Sequence, residues 1–128
     1  MAITVLLADD SELVRRAIRR LLSGQTEIAL VGEASGFTQT IRMVQELHPQ
    51  IVILDLHMSD DDRITPEEFR SRLNLGAARL LAISVWNDQE TRTLAKSFGA
   101  VELLDKVNLG TDLIPAIKRL ASSSPEQV

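Results

Sequence analysis

The chain has no cysteine and no tyrosine, and its 3% aromatic content is three phenylalanines and one tryptophan. Without cysteine there is no disulfide framework, no thiol nucleophile and no thiolate metal site. With so few rings, the core has to be aliphatic, built from Leu, Ile, Val and Ala. A basic excess is missing too. The 14 Lys and Arg stand against 18 Asp and Glu, for a formal net charge of −4, which does not fit the clustered positive footprint of direct nucleic-acid binding. Long apolar runs are absent as well. The opening run Ile3–Leu7 gives way within two residues to Asp9-Asp10, too short a stretch for a signal peptide or a membrane span. A cytoplasmic location without membrane association is the expectation.

What is present is the balance of a globular domain, with 45% hydrophobic and 25% charged residues in 128 positions, enough for one core of ordinary size. Short apolar runs alternate with longer amphipathic stretches. Ile3–Leu7 reads as a first strand. Ser11 then caps a helix whose apolar positions Leu13, Val14, Ala17, Ile18, Leu21 and Leu22 form one stripe at helical period, with Gly24 as its stop. Ile28–Val31 is a second strand, and Phe37–Leu47 a helix ended by His48-Pro49. Ile51–Leu54 is a third, fully apolar strand that ends on Asp55.

After a polar loop from Met58 to Ile64, Thr65-Pro66-Glu67-Glu68 has the pattern of a capping box with proline at the first helical position. Leu80–Val85 is a fourth strand, Asn87 the cap of a fourth helix that Gly99 closes, and Ala100–Leu104 a fifth strand leading to Asp105-Lys106. The last helix is expected over Asp112–Ala121, starting late so that Pro115 falls in its first turn.

Five strand–helix alternations with strands apolar on both faces predict a parallel sheet with helices on each side. Ligands of such folds sit outside the carboxyl ends of the strands. That rule gathers Asp9 and Asp10 after strand one, Asp55 after strand three, Ser84 near the end of strand four and Lys106 after strand five. Clustered carboxylates repel one another and call for compensation. A hard cation such as Mg²⁺ supplies it with oxygen ligands, and an ammonium supplies a point charge suited to a phosphoryl oxygen. Phosphoryl transfer needs chiefly positioning and charge neutralisation, and one carboxylate can serve as nucleophile. Any one of these residues alone is unremarkable, since acidic residues commonly end strands; the ordered set carries the signal.

That set resembles the receiver domains of two-component response regulators, through LLADD at Leu6–Asp10, ILDLHM at Ile53–Met58, AIS at Ala82–Ser84 and FGA…LLDK at Phe98–Lys106. The segment VGEAS at Val31–Ser35 is similar to receivers whose outputs are helix-turn-helix DNA-binding domains. The resemblance implies a flavodoxin-like α/β fold, a doubly wound five-stranded parallel sheet in the order 2-1-3-4-5. It implies a receiver over residues 1–121, with 122–128 as a tail or the start of a linker. Asp55 is then the phosphoacceptor for a sensor histidine kinase or phosphotransfer protein. Asp9, Asp10, Asp55 and the backbone carbonyl of His57 would hold Mg²⁺, while Ser84 and Lys106 would contact phosphoryl oxygens. Activity is expected only on the chain's own Asp55, with an output domain or a second copy as further partner. Receivers often present the face of the fourth helix, fifth strand and fifth helix to such partners; here it would carry the mixed charges Lys96, Glu102, Lys118 and Arg119.

Departures from the family pattern mark where the inheritance thins. Leu103 stands where the family usually has Tyr or Phe as a rotamer switch, and Val85 replaces a usual Ala or Gly. Ser59 and Arg63 take the places of a usual Pro and Gly, with Asp60-Asp61-Asp62 between them reading as a solvated acidic run. His57 is expected on the surface, with its backbone at the metal, and Trp86 at the pocket rim. Two other readings fit parts of the pattern. One is a degenerate receiver that binds partners without phosphorylation. The other is a haloacid-dehalogenase-like phosphatase, which would want a second Asp where His57 stands.

Overall fold

The structure is a computed structural model and describes residues 2–59, 63–74 and 76–122. Five parallel strands alternate with five helices: β1 (Ile3–Ala8), α1 (Glu12–Ser23), β2 (Ile28–Ala34), α2 (Phe37–Leu47), β3 (Ile51–Asp55), α3 (Pro66–Leu73), β4 (Arg79–Ser84), α4 (Gln89–Phe98), β5 (Glu102–Asp105) and α5 (Leu109–Ser122). The strand order is β2-β1-β3-β4-β5, the doubly wound order expected from the sequence.

Side chains alternate across a strand, so each central strand feeds two cores at once. Val5 and Leu7, Ile51 and Ile53, and Leu81 and Ile83 join Ile18 and Leu22 of α1 and Leu113, Ile117 and Leu120 of α5 on one face. Leu6 and Ala8, Val52 and Leu54, and Leu80 and Ala82 meet α2, α3 and α4 on the other. The first core is wholly aliphatic. All three phenylalanines are in the second, where Phe37, Phe69 and Phe98 lie with centroids 5.4 to 5.5 Å apart. Such ring pairs add to what area burial alone gives.

The ends of the elements follow local chemistry, with several differences from the sequence expectation. Ser11 Oγ accepts from Val14 N–H at the start of α1, and Thr65 Oγ1 from Glu68 N–H at the start of α3, satisfying first-turn donors. The cap of α4 is Asp88, not Asn87: Asp88 Oδ1 accepts from both the N–H and the hydroxyl of Thr91, while Asn87 faces Arg92. Strand β2 runs on to Ala34, beyond Val31, because a register shift between Val5 and Leu6 skips Val31 and resumes the ladder at Gly32.

Strand β4 begins and ends one residue earlier than expected, leaving Val85 outside it. Strand β5 starts at Glu102, not Ala100. Gly99 closes α4 with φ of 91°, and Ala100 N–H is spent on Ala95 O, so the chain leaves the helix before it can pair. The last helix starts at Leu109, not Asp112, directly after a 3₁₀ turn over Lys106–Asn108. Pro115 therefore lies inside the helix, past its first turn. It is solvent-exposed, so water can serve the Thr111 carbonyl that its missing N–H leaves unmatched.

Candidate functional site

The carboxyl edge of the sheet collects the residues singled out in the sequence. Strand β1 pairs β3 through Ala8↔Leu54, and β3 pairs β4 through Asp55↔Ile83. Asp9, Asp55 and Ser84 therefore emerge side by side where the three ladders end. All three are buried, whereas Asp10 is exposed. One carboxylate oxygen from each of Asp9, Asp10 and Asp55 falls within 4.8 Å of the others.

Backbone donors hold these carboxylates in place. Asp9 Oδ1 accepts from Ser11 N–H at 2.8 Å, Asp10 Oδ2 from Ser59 N–H at 2.8 Å, and Asp55 Oδ1 from His57 N–H at 3.1 Å. Lys106, at the end of β5, reaches across the edge with Nζ 2.8 Å from Asp9 Oδ2 and 3.3 Å from Asp55 Oδ1. The contact with Asp9 is close in distance but not aligned as a hydrogen bond, and Asp9 Oδ2 is left buried without a hydrogen-bond partner.

The charges do not balance. One ammonium faces three carboxylates, two of them buried. Burial raises the pKa of Asp55, and the charge of Asp9 adds to this; His57 N–H and Lys106 oppose it without cancelling it. For Lys106, burial works against the ammonium, but Asp9 and Asp55 outweigh it and hold its pKa above the ordinary value. The carboxylate edge thus carries surplus negative charge at a cost in stability. Three carboxylates within reach of one another and an all-oxygen donor set fit a hard divalent cation such as Mg²⁺.

The β4 side of the edge is built differently. Ser84 Oγ accepts from Trp86 N–H at 3.0 Å. The chain then leaves the sheet through Val85 and Trp86, which are 54% and 55% exposed. The Trp86 and His57 rings meet in a T-shaped pair, centroids 4.9 Å apart, and His57 is exposed as expected. Leu103, in the place of the usual aromatic, is partly buried against the phenylalanine-bearing core. On the helix-four-to-five face, Arg119 pairs with Glu102 at 2.7 Å, but Lys118 pairs instead with Glu27, just before β2. The Asp60–Asp62 run lies outside the described residues.

Sequence reasoning missed the backbone donors of Ser59 and His57, whose role depends on loop shape and not on side-chain type. It also missed Arg15, whose guanidinium donates to the Asp9 carbonyl oxygen.

A doubly wound 2-1-3-4-5 sheet whose carboxyl edge holds an acidic trio faced by a lysine is the arrangement of a phosphoacceptor module, and the chain belongs to the response regulator receiver domain family, whose model matches residues 5–118. Among its relatives, the nitrate/nitrite response regulator protein NarL of Escherichia coli K12 is 32% identical over 120 residues, covering 93% of this chain and 55% of that protein. The transcriptional regulatory protein LiaR of Bacillus subtilis is 28% identical over 124 residues, 97% of this chain and 58% of the relative. The chain thus spans a little over half the length of these two curated relatives. A protein-glutamate methylesterase/protein-glutamine glutaminase of Cereibacter sphaeroides is 35% identical over 118 residues, but the match covers only 32% of it. Among solved structures, a LuxR-family two-component response regulator from Aurantimonas superposes with a TM-score of 0.82 at 27% identity, covering 98% of this chain and 92% of that one. The receiver domain of a Mycobacterium tuberculosis NarL gives 0.83 at 23% identity, 95% and 98% covered, a likeness of fold. The family match displaces the dehalogenase-like reading, and His57 occupies the place of that reading's second Asp.

Proposed function

We propose that Asp55 is the phosphoacceptor of this receiver and that the surplus charge around it is reserved for Mg²⁺ and the incoming phosphoryl group. The observation that carries the reading is the burial of the Asp55 carboxylate beside Asp9 and Asp10, where Lys106 pairs with both Asp9 and Asp55. Asp9, Asp10, Asp55 and the His57 carbonyl would hold Mg²⁺, which when bound neutralises charge on the carboxylates and the phosphoryl oxygens. An Asp55 oxygen attacks phosphorus in line, the P–N bond of a phosphohistidine breaks, and its electron pair and a proton stay with the departing imidazole. Lys106 would exchange its carboxylate contacts for a phosphoryl oxygen, and Ser84 would turn its hydroxyl from Trp86 N–H toward another.

The donor in this reading is a sensor histidine kinase or phosphotransfer protein, and the chain acts catalytically only on its own Asp55. The module covers residues 1–121, and 122–128 form a tail or the start of a linker to an output domain. A link to transcription regulation is supported by the LiaR and NarL relatives. Among the described residues no helix is long and apolar enough to cross a membrane, and we place the module in the cytoplasm, where such kinases deliver phosphate. A phosphorylation-independent interaction module is the second reading, favoured by Leu103 and by Val85 beside the site.

The test is labelling with a small acyl phosphate or amidophosphate in Mg²⁺. The wild-type chain should take up one phosphoryl group and Asp55→Asn none. Phosphate on His57 or Ser84, or no uptake by the wild type, would sink the reading.

A further inference from the structure

The loop carrying Asp9 and Asp10 is anchored from behind by a chain of charges that plays no part in the chemistry proposed above. Asp9 is fully buried and lies one residue past the last β1 pair, Ala8↔Leu54. Its N–H still reaches Ala34 O at 3.0 Å, but its carbonyl has left the ladder, and a buried carbonyl without a donor is costly. Arg15, in the first turns of α1, folds back and donates Nη1 to that carbonyl oxygen. Its other edge contacts Glu12, and its Nε lies 3.4 Å from Glu33 Oε1. Glu33 is in turn gripped by Arg19 through two bonds of 2.8 Å. Glu33 belongs to β2, within the Val31–Ser35 segment that the phosphoryl chemistry leaves without a role.

We infer that Arg15, braced by Glu33 and Arg19, is a positioning residue that fixes the Asp9-Asp10 turn in the geometry needed to hold the cation. The inference rests on the phosphoacceptor reading and names a further part of the same site. A planar guanidinium suits this task because it can hold a carbonyl and two carboxylates at once in fixed directions. The sign of its effect separates positioning from charge. Arg15 is a cation near an acidic cluster, so charge alone makes its removal tighten Mg²⁺ binding. Positioning makes its removal weaken it.

The measurement is calorimetric titration of the chain with Mg²⁺ alone, together with Mg²⁺-free thermal melts to confirm folding. Arg15→Met should weaken Mg²⁺ binding by about tenfold or more, the usual effect of removing a residue that orients metal ligands. Glu33→Gln should weaken it by less, and adding it to Arg15→Met should cost little more. At Mg²⁺ concentrations that saturate the variant, labelling of Asp55 should return to the wild-type extent. A folded Arg15→Met that binds Mg²⁺ as tightly as wild type or more so overturns the inference, as does a variant that stays unlabelled at saturation. If Arg15→Met does not fold, Glu33→Gln decides alone, and unchanged affinity there refutes the brace. A wild-type chain that binds no Mg²⁺ removes the phosphoacceptor reading itself, and this inference with it.

Discussion

The two halves of the carboxyl edge are held in opposite ways. On the β1–β3 side, Asp9 and Asp55 are buried and each accepts from the backbone N–H two residues on. Lys106 lies across both. On the β4 side only Ser84 is buried, and the next two residues stand open to solvent. The first half keeps like charges close at a cost to the fold. The second half turns out to solvent directly after Ser84 and brings no charge to the edge. Position 103 carries no ring, and the aromatic pair beside Ser84 is exposed Trp86 with His57. The effects of substitutions should therefore sort by side.

The largest effect expected is at Lys106, the ammonium shared by Asp9 and Asp55. Lys106→Met leaves the buried Asp9 and Asp55 carboxylates facing each other and should cost about 3 kcal/mol of stability at neutral pH, the scale of breaking a buried pair. Urea unfolding measures it, and a loss no greater than that of a surface substitution would remove the charge imbalance from the account. An intermediate effect is expected at Ser84→Ala, which takes away the acceptor for Trp86 N–H and should cost about 1 kcal/mol while changing the Trp86 emission. The smallest is Trp86→Ala, expected within about 0.5 kcal/mol of wild type and with unchanged Mg²⁺ affinity by calorimetry. A large stability loss there would show that the β4 side is as tightly held as the other. Because Trp86 is the one tryptophan in the chain, its fluorescence should also change when Mg²⁺ is added to wild type and not to Asp10→Ala.

Much of this edge was legible in the sequence because the constraints that make it are local. The short, β-branched-rich run Ile51–Leu54 reads as a strand and is buried on both faces, so the residue that ends it, Asp55, comes to the rim. The same holds for Leu6 and Leu7 before Asp9. The boundaries that escaped are those where two local solutions compete. Asn87 and Asp88 are both good caps, and the choice fell to Asp88 because Thr91 supplies it with two donors. Ala100 and Val101 suit a strand, yet the left-handed Gly99 claims the Ala100 N–H for the helix end. Pro115 suggested a late helix, but the 3₁₀ turn at Lys106 starts the coil early and carries the proline inside. Arg15 was hidden for another reason. Its partner is a backbone carbonyl, and no pattern of residue types records that.

The claim that the β1–β3 side stores unfavourable charge for use is tested most directly at Asp55 itself. Its carboxyl pKa is raised in the folded state, chiefly by burial, above the ordinary value of 3.8. The stability linked to its proton is therefore present at low pH and lost as pH rises through the raised value. At neutral pH in EDTA, Asp55→Asn keeps an acceptor for His57 N–H without the charge. It should unfold at a higher temperature than wild type, with the advantage shrinking as the pH falls into the carboxylate range. Added Mg²⁺ should raise the melting temperature of wild type and much less that of Asp55→Asn. An Asp55→Asn chain that melts below wild type in EDTA, or gains as much from Mg²⁺, would contradict the account.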